Sequence, residues 1–254
     1  MSMLISGFVF IFGAIIGSFL NVVIYRYHTG KTVGGRSQCL TCGKTLTARE
    51  LIPIFSFFTQ RGKCRKCGAK ISRQYPLVEI ATGLLFLLIY TLHPALYALL
   101  YHWIVASILV VIVAYDIRHT IIPDGFAYPF AILAFLYGLF SPPVGVSLLW
   151  FVLSGPLLAV PFAFLWLVSQ GRWMGLGDAK LALGIGWFLG WYQGLSALII
   201  AFWIGAIVGI LLLFLKSKRF TMKSEIPFGP FLILGMWIVF FCNIDLLGLR
   251  VLIM

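Results

Sequence analysis

Charged residues are scarce in this sequence, and acidic residues are the scarcest. Only 10% of the 254 residues are charged and only seven are Asp or Glu, whereas 61% are apolar. A soluble domain of this length needs far more polar surface, so the composition excludes an ordinary soluble protein and indicates one embedded in a membrane. The scarcity also makes each acid a candidate functional group, because ionisable groups near membrane spans are costly.

Two common hydrolase motifs are also missing. No H-E-x-x-H zinc-protease motif occurs, and the four histidines, at positions 28, 93, 102 and 119, are scattered. No G-x-S-x-G motif occurs either, because the segment 194–198 ends in leucine instead of glycine. A hydrolytic function would therefore have to use other residues.

Long apolar runs, in contrast, are abundant. A membrane-crossing helix needs about 20 mostly apolar residues. The runs predict an all-α polytopic membrane protein of about eight transmembrane helices, at residues 3–25, 76–92, 96–115, 125–140, 148–168, 179–193, 195–215 and 228–248. The second, fourth and sixth are short, as tilted, broken or partly inserted helices would be. The first lacks a basic flank and a cleavage site, so we expect a retained helix instead of a signal peptide.

The basic residues are distributed unevenly among the connections. Eleven of the 19 Lys and Arg lie between Arg26 and Arg73, where Glu50 is the one acid. The later odd-to-even connections are also basic, whereas the even-to-odd connections hold no Lys or Arg, and Arg250 near the C-terminus is the exception. Because basic loops stay in the cytosol, we expect the N-terminus outside and the basic insert inside.

This pattern predicts three parts of the chain: a first transmembrane helix at 1–25, a basic insert at 26–75 and a helix bundle at 76–254. The basic charge of the insert would also suit nucleic acid. So small an insert beside a membrane favours contact with anionic lipid headgroups instead, and we expect no nucleic-acid partner. A membrane-tethered module that binds nucleic acid or another partner is the alternative.

Four of the five cysteines form two C-x-x-C pairs within this insert, Cys39 with Cys42 and Cys64 with Cys67. Two such turns complete a tetrahedron of thiolates, which suits Zn²⁺. Glycines directly after each pair fit the chain reversal of a zinc knuckle. Disulfides or a redox role are the alternative, but thiols stay reduced in the cytosol. With four sulfurs the zinc would be structural, and the remaining Cys242 is expected to pack as an apolar residue.

Three acids lie where predicted spans meet the cytosolic face: Asp116, Asp124 and Asp178. Asp116 closes one span at a helix C-terminus, where the helix dipole disfavours negative charge, and Asp178 opens another at an N-terminus, where the dipole favours it. Two carboxylates in unlike environments share a proton and activate water, as in aspartic proteases. We expect Asp178 to ionise more readily and Asp116 to hold the proton.

Capping of a helix is the simpler role for these acids. It competes for Asp178 and more strongly for Asp124, which follows Pro123 where an N-cap is wanted, so Asp116 ranks above Asp124 as the partner. Gly175 and Gly177 leave the backbone bare beside Asp178, which would let an extended substrate approach.

Two further interpretations concern the neighbouring Lys180 and a different function for the acids. Lys180 is expected to anchor charge at the interface or to bind a carboxylate. The rival functional class is a proton- or cation-coupled transporter, which would place the aspartates in the middle of spans.

These residues together resemble the bacterial type IV prepilin peptidases, aspartic membrane proteases of the GxGD kind. The resemblance extends over nearly the whole chain. It comprises the two C-x-x-C pairs and five segments, at residues 17–26, 71–79, 116–124, 175–180 and 226–231.

The resemblance implies cleavage of a short basic leader from prepilins or pseudopilins, after a Gly and before an apolar helix, at the cytosolic face of the inner membrane. It implies Asp116 and Asp178 as the catalytic pair, and Asp124 matches the family pattern as a supporting acid. It also implies methylation of the new N-terminus by S-adenosylmethionine, for which the residues themselves show no binding motif. The basic leader would need an acid, for which Glu79 or Asp124 is the candidate.

Overall fold

The fold is taken from a computed structural model that describes residues 3–30, 32–92, 95–141, 147–214 and 226–246. Within these residues the chain is mainly helical and contains no β-strand, which confirms the predicted all-α class. The helices are α1 (Met3–Arg26), α2 (Phe55–Thr59), α3 (Gln74–Leu92), α4 (Leu96–His119), α5 (Asp124–Phe140), α6 (Leu148–Ser169), α7 (Leu176–Leu189), α8 (Trp191–Phe214) and α9 (Gly229–Cys242). A single 3₁₀ turn spans Ala48–Glu50.

Eight of these helices correspond to the eight predicted spans, and the short α2 lies in the insert. Five of them, α1, α3, α4, α6 and α8, are long and apolar enough to cross a membrane by length and composition. The other three, α5, α7 and α9, have 17, 14 and 14 residues. The basic residues from Lys216 to Lys223 and Arg250, which entered the charge pattern, lie outside the described residues.

The ends of several helices differ from the predicted ones. The second predicted span is longer than expected, because α3 begins at Gln74 and has 19 residues. The Gln74 N–H donates to the Ser72 hydroxyl at this helix start. The sixth ends at Leu189 because Gly190, with φ of 78°, stops the helix. The eighth ends at Cys242 because Asn243 adopts a left-handed conformation.

The chain divides into two compact units, Met1–Ala114 and Tyr115–Met254. In the first unit α1 packs along α3. A methyl group at Gly17 would meet the Glu79 Cα at 2.8 Å, so the two helices approach closely there. The Asn21 amide, fully buried, donates to the carbonyl oxygens of Gly17 and Tyr75 at 3.3 and 3.1 Å.

In the second unit α7 contacts α5, α6, α8 and α9. Its glycines admit two neighbours: Gly184 faces Phe130 of α5, and Gly186 faces Gly155 of α6. The Ser154 hydroxyl of α6 also donates to the Gly186 carbonyl at 2.8 Å. A helix that is apolar on all sides needs such surroundings, and the arrangement holds the start of α7, with Asp178, in place.

Replacement of Gly186 tests this packing. A methyl group there would meet the Ser154 carbonyl oxygen at 2.5 Å and the Gly155 Cα at 2.7 Å. We expect G186A to lower the melting temperature in detergent, because overpacking costs about 1–3 kcal/mol. G7A is the matched control, since Gly7 on α1 has nothing within 4 Å of an added methyl. Equal melting of the two variants would contradict the packing.

Candidate active site

Asp116 lies in the last turn of α4 and is 3% exposed. Its carboxylate accepts a hydrogen bond from the backbone N–H of Gly229, the first residue of α9, at 3.1 Å. The first N–H groups of a helix have no partner within that helix and carry its positive dipole end. Asp116 therefore lies at the C-terminal end of its own helix and at the N-terminal end of another.

Asp178 is the third residue of α7 and is 8% exposed. Its carboxylate accepts a hydrogen bond from the backbone N–H of Gly175, the N-cap residue, and interacts electrostatically with Asp116. Asp116 and Asp178 are thus both buried and near enough to interact electrostatically, and Ile122 lies against both Gly229, the donor to Asp116, and Gly177, the neighbour of Asp178. The N-cap residue is Gly175 and not Asp178. Asp178 still contributes to capping, because its carboxylate accepts the Gly175 N–H at the start of α7.

Helix dipoles do not decide which of the two aspartates is protonated and which is ionised. The C-terminal dipole of α4 disfavours a charge on Asp116, whereas the N-terminal dipole of α9 favours one. These effects oppose each other, so the expectation that Asp116 holds the proton does not follow from helix dipoles. Sequence reasoning considered only the helix to which each aspartate belongs.

Asp124 does not join the pair of buried aspartates. It is the first residue of α5, Pro123 takes the N-cap position, and no side-chain cap hydrogen bond forms. Its exposed carboxylate instead pairs with Lys180, with Nζ and Oδ1 2.6 Å apart. The Lys180 ammonium also lies 5.0 Å from the centre of the Tyr128 ring. Lys180 thus binds a carboxylate and joins the starts of α5 and α7.

The two glycines before Asp178 differ in their surroundings. A methyl group at Gly177 would meet the Ile122 Cβ at 2.7 Å, so this position serves packing and is not left open for a substrate. A methyl at Gly175 would meet only Asp178 and the Gly177 backbone, at 3.8 and 3.9 Å. Of the two, only Gly175 matches the expectation of a bare backbone.

Gly229 and Ile122 are site residues to which sequence reasoning gave no role. A methyl group at Gly229 would meet the Asp116 Oδ2 at 2.6 Å and the Ile122 Cδ1 at 3.2 Å, and Ile122 also contacts Gly177. The signal in the sequence was Gly229 followed by Pro230 before an apolar run, which predicts a helix start with free N–H groups. It did not reveal which acid the helix start would meet.

The four cysteines of the insert form two similar knuckles. The N–H groups of Gly43 and Gly68 donate to the carbonyl oxygens of Cys39 and Cys64, each at 2.9 Å. Both glycines have positive φ, 68° and 71°, which supports the predicted chain reversal. An isolated antiparallel bridge flanks each knuckle, one at Gln38 and Thr45 and the other at Lys63 and Lys70.

The sulfurs lie within 4.8 Å of one another. A zinc ion with Zn–S distances of about 2.3 Å separates tetrahedral sulfurs by about 3.8 Å, and the Sγ atoms of Cys39 and Cys67 are 3.9 Å apart. All five cysteines are free, unlike in the disulfide alternative. The group therefore fits a metal ion and is consistent with zinc.

Backbone hydrogen bonds favour the thiolate form of the first cysteine in each knuckle. The N–H groups of Cys42 and Thr41 lower the pKa of the Cys39 thiol to about 6. Those of Cys67 and Lys66 lower the pKa of the Cys64 thiol in the same way. Metals bind the thiolate form, so these backbone hydrogen bonds favour the ligand state of Cys39 and Cys64, whereas burial and the neighbouring thiols raise the pKa of the Cys67 thiol to about 11.

Comparison with known proteins gives the family. Residues 11–93 match the bacterial peptidase A24 N-terminal domain, and residues 103–210 match the type IV leader peptidase family. The prepilin leader peptidase/N-methyltransferase of Aeromonas salmonicida (strain A449) is 33% identical over 265 residues, covering 91% of this chain and 88% of the relative. The chain belongs to the type IV leader peptidase family.

Two other relatives of this leader peptidase family carry the same name. The Aeromonas hydrophila protein is 33% identical over 263 residues, covering 91% of this chain and 88% of its own. The Myxococcus xanthus (strain DK1622) protein is 37% identical over 224 residues, which are 86% of this chain and 66% of that relative. No solved structure gives a significant match. The transporter alternative gains no support, and both aspartates lie in terminal turns of helices.

The metal site of this leader peptidase family member is directly testable. We expect the purified protein to hold about one zinc ion per chain, measured by elemental analysis. C64S should lose the metal, because it replaces a thiolate ligand by a hydroxyl at the one buried cysteine of the four. C242S, with an exposed cysteine outside the insert, should retain it. Retention of zinc by C64S, or disulfides in the isolated protein, would contradict the assignment.

Proposed function

We propose that this chain is a membrane aspartic endopeptidase that removes the leader of type IV prepilins or pseudopilins, with Asp116 and Asp178 as its catalytic pair. The observation that supports the proposal is the burial of these two carboxylates at the ends of α4 and α7, where they interact electrostatically. Membership of the leader peptidase family and the names of the relatives support the substrate class.

The chemistry follows from two carboxylates that share one proton. The ionised member takes a proton from water, whose oxygen attacks the peptide carbonyl carbon. The protonated member gives its proton to the carbonyl oxygen, and a tetrahedral diol forms. When the C–N bond breaks, a proton passes to the leaving amine and the new carboxyl terminus is released. The pair titrates as a unit.

Burial and hydrogen bonding support this role. The Gly229 N–H holds the Asp116 Oδ2, and the Gly175 N–H holds the Asp178 carboxylate. Each aspartate thus has a fixed donor, which orients the carboxylate without engaging another side chain. An α7 of 14 residues is about 21 Å long, less than the roughly 30 Å of a hydrocarbon core. This length is compatible with a site below the membrane surface.

Recognition of the basic leader falls to Asp124 in this proposal. Glu79, the other candidate, is 6% exposed and its carboxylate already accepts the Ile54 N–H at 2.7 Å. Asp124 is exposed and paired with Lys180 at 2.6 Å. If a lysine of the leader displaced Lys180 as the partner of Asp124, the Asp124 carboxylate would remain paired with one positive charge. Lys180 and the open Gly175 are proposed as supporting residues.

The remaining parts of the proposal concern the membrane and the metal. The alternation of basic and uncharged loops supports an N-terminus outside, with the insert and the catalytic face in the cytosol of a bacterial inner membrane. The insert would hold a structural Zn²⁺ on Cys39, Cys42, Cys64 and Cys67, because four sulfurs close a tetrahedral site.

We also propose methylation of the new N-terminus, which the name of the relatives supports. S-adenosylmethionine would supply the methyl group, and it needs polar partners for its sulfonium, amine, carboxylate and ribose. A groove of about 400 Å³ in the first unit offers apolar side chains and two serines, Ser18 and Ser37. These residues do not fit the cofactor, so no step of methyl transfer is assigned to them.

A peptide with a basic leader, then Gly, Phe and an apolar helix, tests the proposal by mass spectrometry. We expect leader loss with inside-out vesicles but not with intact spheroplasts, and a gain of one methyl mass when S-adenosylmethionine is supplied. D116N and D178N should each reduce cleavage at least about 100-fold, because each removes one acid–base group. D245N, in the same unit, should cleave normally. Cleavage by either site variant at the normal rate would reject the pair.

The Gly229 contact generates a second kinetic prediction. G229A would place a methyl group 2.6 Å from the Asp116 Oδ2 and displace that carboxylate. We expect kcat to fall at least about tenfold with KM little changed, because misplaced catalytic groups slow the chemical step. G209A is the control, since a methyl there meets nothing closer than Ile226 at 4.0 Å. Equal kcat values would show that the contact has no role.

A further inference from the structure

Glu79 is a buried carboxylate that the proposed mechanism does not use. It lies near the start of α3 and is 6% exposed. It accepts the backbone N–H of Ile54 at 2.7 Å and is hydrogen-bonded to the Ser18 side chain. Burying a carboxylate is costly unless it is hydrogen-bonded. This carboxylate therefore joins three segments: α3, α1 and the cysteine insert.

The insert is strained where Glu79 binds it. Ile54 has φ of 63° and ψ of −56°, and the Phe55 N–H donates to the Pro53 carbonyl at 2.5 Å, which makes a γ-turn of the rare positive-φ form. A β-branched residue in this conformation is an outlier. Such a conformation persists only where its surroundings impose it, and the hydrogen bond to Glu79 is a restraint on the strained residue itself.

The opposite side of Glu79 is closely packed. Gly17 of α1 lies against the Glu79 Cα, so no side chain separates the two helices at this level. The buried Asn21 amide bonds α1 to the start of α3 through the Tyr75 carbonyl at 3.1 Å. Glu79 is therefore fixed to a closely packed helix pair, while its acceptor oxygen faces the insert.

We propose that Glu79 is a positioning residue that docks the cysteine insert on the α1–α3 pair by holding the Ile54 turn in its strained conformation. Pro53 and Ile52, at and next to this turn, line a groove together with Ile15, Ser18 and Phe19 of α1. The carboxylate thereby also sets the position of one wall of that groove. This role does not depend on the proposed peptidase activity.

Limited trypsin digestion of the full-length protein in detergent tests the docking, because eleven Lys and Arg lie between Arg26 and Arg73. Cleavage follows the population of the undocked insert. We expect E79A to speed cleavage within 26–73 roughly tenfold while the zinc content stays unchanged. T82A is the matched control, since its hydroxyl bonds only the Val78 carbonyl of the same helix at 2.7 Å. It should digest within about twofold of the unmodified protein.

A rescue experiment distinguishes restraint of the Ile54 turn by Glu79 from a general contribution of Glu79 to core packing. Glycine adopts positive φ without strain, so E79A/I54G should regain most of the protection, within about threefold of the unmodified protein. E79A/I54A, which keeps the strain and loses the same side chain beyond Cβ, should stay as sensitive as E79A. If E79A does not yield a monodisperse protein, E79M, which keeps most of the side-chain volume and has no oxygen acceptor for the Ile54 N–H, replaces it in both pairs. Normal digestion of the Glu79 variant, or equal digestion of the glycine and alanine double variants, would overturn the proposal.

Discussion

Buried carboxylates in an apolar helix bundle need hydrogen-bond donors, and the free N–H groups at helix starts supply them. Four acids are buried among the described residues, and each accepts such a bond. The pairs are Glu50 with Thr47, Glu79 with Ile54, Asp178 with Gly175 and Asp116 with Gly229. Three of these donors are the N-cap residues of the 3₁₀ turn, α2 and α7, and the fourth is the first residue of α9. These four buried acids are thus placed where backbone N–H groups help to compensate for their burial, and Glu50 also pairs with the Lys44 ammonium at 2.8 Å.

The hydrogen bond from a backbone N–H at a helix start to a buried carboxylate has a different role in each unit. In the second unit it brings two carboxylates close enough to interact, which an apolar environment would otherwise oppose. Both donors in that unit, Gly175 and Gly229, are glycines, so no donor side chain separates donor from acid. In the first unit it joins an insert to a pair of helices and imposes strain on Ile54. In both units the helices pack closely around a glycine, Gly186 on α7 and Gly17 on α1.

Reasoning from the sequence succeeded where the deciding physics is local. Apolar runs predicted the eight helices outside the insert, and the C-x-x-C spacing predicted two knuckles whose sulfurs lie together. It was less accurate at helix ends, because single residues such as Gly190 and Asn243 stop a helix within an unbroken apolar run. It expected Gly177 to be open, although Ile122 fills the space.

The sequence by itself determined the class of protein, the candidate acids and the candidate metal ligands, since composition and short spacings decide these. Only the tertiary structure decided which donor each acid meets. Asp116 and Gly229 are 113 residues apart, Lys180 and Asp124 are 56 apart, and Glu79 and Ile54 are 25 apart. Partners at such separations depend on how whole helices pack, and side-chain periodicity carries no information about that. The pair Asp116 and Asp178 could be chosen from scarcity and position, but the backbone groups that hold the two carboxylates emerged only from the fold.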